Sequence, residues 1–103
     1  MPSKDYKTDL LQRLRDSQYA ATYLKAALDE TLSDGNTEAF LLALKNVIEA
    51  KGSTGAIANE SNVSRQHLYR MLSGNGNPTL DTLTSILQAV GLTIDFKPTS
   101  IGD

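Results

Sequence analysis

Apolar residues recur at every third or fourth position along most of this chain, and this helical period limits the possible folds more than any other feature. Polar capping residues and glycine-containing turns divide the pattern into six segments. The predicted helices are Thr8–Arg15, a second helix capped by Asp16 or Ser17 and running to about Leu32, a third carrying Ala39 to Ile48, then Thr54–Glu60, Arg65–Leu72 and a sixth opened by Thr79 and closed by Gly91. The sequence therefore predicts an all-α protein built as a small helical bundle.

The chain has 103 residues, of which 40% are hydrophobic. This length and this apolar content suffice for one compact domain with a single core. The predicted inward positions include Leu24 and Leu28 in the second helix, and Leu80, Leu83 and Val90 in the sixth. We expect all six helices to contribute to that one core.

The segment Leu92–Lys97 has a different pattern, because apolar and polar residues alternate strictly along it. Such alternation predicts one short C-terminal β-strand with Leu92, Ile94 and Phe96 on one face. A lone strand has unpaired backbone groups and is not stable by itself. The simplest partner is the same strand of a second copy, so the pattern predicts a homodimer.

Several classes of protein are excluded by composition. The chain has no cysteine and one histidine, His67, so neither thiolate nor histidine-cluster metal sites are expected, and no cofactor is predicted. It also lacks a glycine-rich phosphate loop and a nucleophile paired with a base, so we do not expect an enzyme. No apolar run approaches the roughly 20 residues of a membrane span, and no secretion signal is visible. A cytoplasmic protein without membrane contact is predicted.

The net charge is −2, but the charges are unevenly distributed. From Lys51 to Pro78 there are three basic residues and the single acid Glu60, a local balance of +2. This is the only segment with a positive balance, and a local excess of basic charge favours contact with nucleic acid.

The same segment holds two short predicted helices joined by residues 61–63, an arrangement that predicts a helix-turn-helix. Its geometry would present the first turn of the second helix to the major groove of DNA. Arg65 can form a bidentate pair with guanine, and Gln66 can do so with adenine. Arg70, one turn beyond Gln66 on the same face, is the third predicted base-contacting residue, and its position is equally consistent with a phosphate contact.

Hydroxyl and amide side chains nearby suit phosphate oxygens. The predicted phosphate contacts are Ser53, Thr54, Ser64, Tyr69, Asn75 and Asn77. Each hydroxyl at a helix start is equally consistent with a cap alone, and Tyr69 is equally consistent with a cover over the edge of the core. His67 is interpreted as an exposed residue without a chemical role.

Residues Lys51 to Leu92 resemble the Xre/Cro-type helix-turn-helix family, and Gly74 to Leu83 match its exit pattern G-x-x-x-P-(T/S)-L-x-T-L. Residues 10–30 and 38–47 are similar to probable addiction-module antidote proteins, which are related to HigA-type antitoxins. This resemblance implies two partners: double-stranded operator DNA and a small RelE/ParE/HigB-like toxin. It implies an antitoxin of a type II toxin-antitoxin module that neutralises the toxin and represses the shared operon.

Three regions follow from these patterns within one compact domain. Residues 1–50 are N-terminal helices, residues 51–92 the helix-turn-helix unit, and residues 93–103 the C-terminal strand and tail. The N-terminal helices complete the core, contact the toxin, or do both with an inner and an outer face. The residues concerned are Tyr6, Leu10, Leu11, Leu14, Tyr19 and Tyr23. Two other functions stay open: a stand-alone transcriptional regulator without a toxin, and a protein-interaction module that no longer binds DNA.

Overall fold

A computed structural model of the chain describes residues 3–99, without the side chains of residues 3–5 and of Asn75. Within that range the chain forms six α-helices and one π-helical turn, Met71–Asn75. The helices are α1 Ser3–Arg13, α2 Ser17–Asp34, α3 Glu38–Lys51, α4 Thr54–Ser61, α5 Arg65–Arg70 and α6 Leu80–Ala89. The all-α prediction is confirmed, although α1 begins at Ser3 and not at Thr8.

Side-chain caps fix the starts of four helices. Asp16 accepts a hydrogen bond from the Gln18 N–H, and the hydroxyl of Ser53 accepts one from the Ala56 N–H at 3.1 Å. Ser64 and Thr79 do the same for α5 and α6. Because the first backbone N–H groups of a helix have no partner within it, these oxygens satisfy donors that would otherwise need water.

Helix α3 lies at the centre of the fold and packs against α1, α2, α4 and the π-helical turn. Its residues Leu44, Val47 and Ile48 are fully buried. Helix α6 packs against α4 and brings Ile86 and Leu87 into the same core. The core is continuous from Leu10 in α1 to Val90, just after α6, so all six helices share it.

Two residues that the sequence predicts to face the core, Leu80 and Leu28, are exposed. Leu80 is 71% exposed because it is the first residue of α6, where a side chain has few neighbours to cover it. Leu28 is 41% exposed. It lies at the edge of the buried stripe of α2, which follows Ala20, Leu24 and Thr31.

The fifth helix was predicted to continue to Leu72, but the α-helix ends at Arg70 and widens into the π-helical turn. Met71 and Leu72 remain buried in this turn. The chain then folds back so closely that a Cβ on Gly76 would lie 2.7 Å from the Met71 Cα. Glycine at position 76 permits this approach, and Gly74 supplies the positive φ of 97° that starts the reversal.

The predicted strand over Leu92–Lys97 is not formed in the single chain, where residues 92–99 have no regular secondary structure. The Leu92 N–H donates to the Leu87 carbonyl at 2.8 Å, and the Leu92 side chain packs against the core. Ile94 and Phe96 are exposed. The segment has no neighbouring strand within residues 3–99, and a strand needs one for its backbone hydrogen bonds.

Among the helices of that range, none is both long and apolar enough to cross a membrane.

Candidate nucleic-acid interface

The turn between α4 and α5 is fixed by backbone geometry and by burial. Asn62 ends α4 in the left-handed conformation, with φ of 63°, and the next N–H, that of Val63, donates to the Ala58 carbonyl at 3.0 Å. Ile57 and Ala58 on α4 are buried, as is Leu68 on α5. The small side chain of Ala58 and the apolar contacts around it thus hold the two helices in one arrangement.

Helix α5 buries one side chain and exposes the rest. Leu68 is fully buried, whereas all five other residues of the helix are exposed, namely Arg65, Gln66, His67, Tyr69 and Arg70. Residues four apart lie on the same face of a helix, so Arg65 lies beside Tyr69 and Gln66 beside Arg70. The three predicted base-contacting residues therefore occupy the outer surface of one short helix.

The charges of this region leave the two arginines of α5 available. Among the described side chains, neither Arg65 nor Arg70 has an ion-pair partner. Lys51 is differently placed, since its ammonium donates to the Arg15 carbonyl at 2.8 Å and so joins α3 to the α1–α2 turn. Glu60, the single acid of the segment, lies beside residues of α6. Within residues 51–78, the positive charge that can meet an anion is thus concentrated on α5.

Arg65 also makes a contact that the sequence did not predict. Its guanidinium lies directly over Gly55 in the first turn of α4, where a Cβ would lie 3.0 Å from the Arg65 Nε and 3.1 Å from the Cζ. The side chain that begins α5 is therefore packed against α4. A glycine inside a predicted helix was the only sequence signal of this contact.

The predicted phosphate-contacting residues lie in different environments. Ser53 and Ser64 each accept a capping hydrogen bond, and each keeps its own hydroxyl proton as a donor. Thr54 is half-buried, and Asn77 is exposed. Tyr69 is 55% exposed, so it does not act mainly as a cover for the core. The side chain of Asn75 lies outside the described residues.

Residues 5–98 match the family described as "Probable addiction module antidote protein". The chain belongs to this family. The match includes nearly all of α1 and every later helix. An uncharacterised protein of Haemophilus influenzae is 34% identical to this chain over 89 residues, covering 86% of this chain and 84% of its own length. No solved structure shows significant similarity to the chain.

In this member of the antidote family, the N-terminal residues predicted as either core or partner surface are divided between buried and exposed positions. Leu10 and Leu14 are buried, and the Tyr23 hydroxyl accepts a hydrogen bond from Asn46 at 2.9 Å. Leu11 is half-buried. Tyr6 and Tyr19 are exposed, at 68% and 38%.

The surroundings of Tyr19 link it to the end of α1. The Arg13 Nε donates to the Asp9 carboxylate at 3.0 Å, and this hydrogen bond, with a smaller contribution from Tyr19, raises the pKa of Arg13. Tyr19 therefore lies beside a paired cation on the surface of the N-terminal helices.

Asn62 is a structural residue of the site that sequence reasoning did not single out. It is the only residue other than glycine with positive φ among the described residues. Asparagine tolerates this conformation better than other side-chain-bearing residues. An asparagine between the last helical residue and an apolar residue is a recognisable signal for such a helix end.

Proposed function

We propose that this protein is the antidote of a type II toxin-antitoxin module and that it binds operator DNA to repress its own operon in the cytoplasm. Family membership supports the antidote role. The observation that carries the DNA-binding role is the outer surface of α5, on which Arg65, Gln66 and Arg70 are exposed without an ion pair in the described chain. A solvent-facing helix with two unpaired arginines and a glutamine suits the edges of DNA bases.

In this proposal α4 and α5 form a helix-turn-helix, and α5 enters the major groove. Arg65 and Gln66 contact bases, and Arg70 contacts a third base or a phosphate. The hydroxyls of Ser53 and Ser64 remain donors for phosphate oxygens after capping their helices. Thr54, Tyr69, Asn75 and Asn77 complete the proposed phosphate contacts.

We also propose that the protein binds DNA as a homodimer. Ile94 and Phe96 follow the core-packed Leu92 and leave apolar surface exposed, with Phe96 at 90% exposure, and a second copy of the segment would cover it. The two α5 helices would then enter successive major grooves about 34 Å apart on a palindromic operator.

The second proposed partner is a small RelE/ParE/HigB-like toxin. Tyr6 and Tyr19 are the residues we assign to its interface, because exposed tyrosines are favoured as interface anchors and the buried N-terminal leucines are not available. The test is coexpression with the product of the neighbouring gene, followed by purification through a tag on one chain. Recovery of a stoichiometric complex supports the antidote role, whereas recovery of the tagged chain alone favours a stand-alone regulator.

The DNA-binding proposal is tested by titrating the protein against the DNA upstream of its own gene. Unrelated duplex of the same length serves as competitor, and the salt concentration is varied. We expect binding that survives the competitor, with a logarithmic salt slope of about −0.9 for each phosphate contacted. Binding no stronger than to unrelated DNA would contradict this proposal and favour the protein-interaction module.

Two arginine variants identify the residue that contacts bases. Arg65→Ala is expected to weaken operator binding by roughly 1–3 kcal/mol and to relax sequence preference. Arg15→Ala removes the same charge from an exposed position in the α1–α2 turn and is the matched control. Equal effects of the two variants would show that charge alone, and not base contact by Arg65, determines the affinity.

A further inference from the structure

Gly55 is a glycine in a place where the backbone does not require one. It is the second residue of α4, and it is not among the glycines with positive φ, which in the described chain are Gly35, Gly74 and Gly91. Glycine has a lower helix propensity than alanine, so its presence in the first turn of an eight-residue helix opposes helix formation. The reason for glycine at this position therefore lies outside backbone conformation.

The space that a side chain would occupy at Gly55 is filled by Arg65. Its guanidinium provides all three of the atoms nearest to the Cβ position of residue 55, namely a terminal nitrogen, Nε and Cζ. No ion pair with a described side chain holds this guanidinium. The guanidinium thus lies against the bare Cα of Gly55 in α4.

We propose that Gly55 is a positioning residue for DNA recognition: its missing side chain lets the Arg65 guanidinium pack against α4, and this contact sets the direction in which Arg65 meets DNA. A side chain already held in its binding conformation loses less conformational entropy on binding. The inference rests on the proposed DNA-binding function and adds to it a residue of α4 that touches no base.

Gly55→Ala separates this role from a role in folding. The added methyl group would conflict with the far end of a flexible side chain and not with backbone, so Arg65 can move away while the helices stay in place. Alanine also favours the helical conformation of α4. We expect an unchanged or higher melting temperature together with weaker operator selectivity.

The experiment measures the ratio of operator to unrelated-DNA affinity for the full chain and four variants. Gly55→Ala is expected to lower this ratio roughly tenfold, within the range for loss of one bidentate base contact. In the Arg65→Ala background the same change is expected to have no further effect, because the two residues act through one contact. Gly52→Ala is the matched control, since its Cβ would meet nothing closer than 4.0 Å.

The contact itself is tested without DNA by a nuclear Overhauser effect between the Arg65 side chain and the Gly55 α protons. Its absence from the wild-type protein would overturn the inference, whatever the variants do. A folded Gly55→Ala protein with wild-type selectivity, alongside a defective Arg65→Ala protein, would overturn it and leave the proposed function standing. A wild-type protein without any selectivity would refute the proposed function, and with it the role of Gly55.

Discussion

Leu68→Ala is expected to destabilise the protein strongly, because Leu68 is the one side chain of α5 that is fully buried. The substitution removes three carbon atoms from the core. At about 0.8 kcal/mol for each buried methylene-sized group, the lost transfer free energy alone is about 2.4 kcal/mol. The cavity left among Ile57, Met71 and other core residues adds to this loss. We expect the free energy of unfolding to fall by about 3–4 kcal/mol.

Urea denaturation followed by circular dichroism measures this change. The midpoint should fall while the slope with denaturant stays the same, and the melting temperature should fall by roughly 15 °C. Tyr69→Ala is the matched control, since Tyr69 is the next residue and is 55% exposed, and its effect should stay below about 0.5 kcal/mol. A loss below about 1 kcal/mol for Leu68→Ala would refute the view that Leu68 anchors α5 in the core.

Three further predictions concern α5, the turn before it and the C-terminal segment. Ser64→Ala removes the acceptor of the 3.0 Å hydrogen bond from the His67 N–H, and should lower the free energy of unfolding by about 1 kcal/mol, measured by urea denaturation. Asn62 has a positive φ of 63°, which glycine adopts more easily than alanine. Asn62→Gly should therefore leave the melting temperature equal or higher, whereas Asn62→Ala should lower it. The opposite order would contradict the assigned conformation. Phe96→Asp should convert the proposed dimer into a monomer in analytical ultracentrifugation, and an unchanged sedimentation coefficient would exclude this segment from the dimer contact.

The helices could be predicted from the sequence because their signals are local. Ser53, Ser64 and Thr79 each lie immediately before a helix, and each side-chain oxygen accepts a hydrogen bond from the N–H three residues later. These hydrogen bonds form between residues that are close in sequence, so a few consecutive residues are enough to predict them. The outward direction of Gln66 and Arg70 was predictable for the same reason, since the buried Leu68 fixes which face of α5 turns inward.

The departures from the prediction depend on residues that are not neighbours in the helical pattern. The π-helical turn forms where Gly76 folds back against the Met71 backbone, and no local period encodes that approach. Leu92–Lys97 has the alternation of a strand, but alternation states only which side chains share a face. Whether a strand forms depends on a pairing partner, and residues 3–99 of the single chain provide none.

The contact between Arg65 and Gly55 marks the limit of what the sequence could indicate about the candidate site. Gly55 lies inside a helix that the caps predict correctly, although glycine has a low propensity for the helical conformation. Such a conflict usually has a packing or functional reason. The sequence could not identify that reason, because the crossing of α4 and α5 determines which side chain fills the space, and the crossing depends on Ile57, Ala58 and Leu68 together. The glycine therefore becomes interpretable only when the two helices are seen in contact.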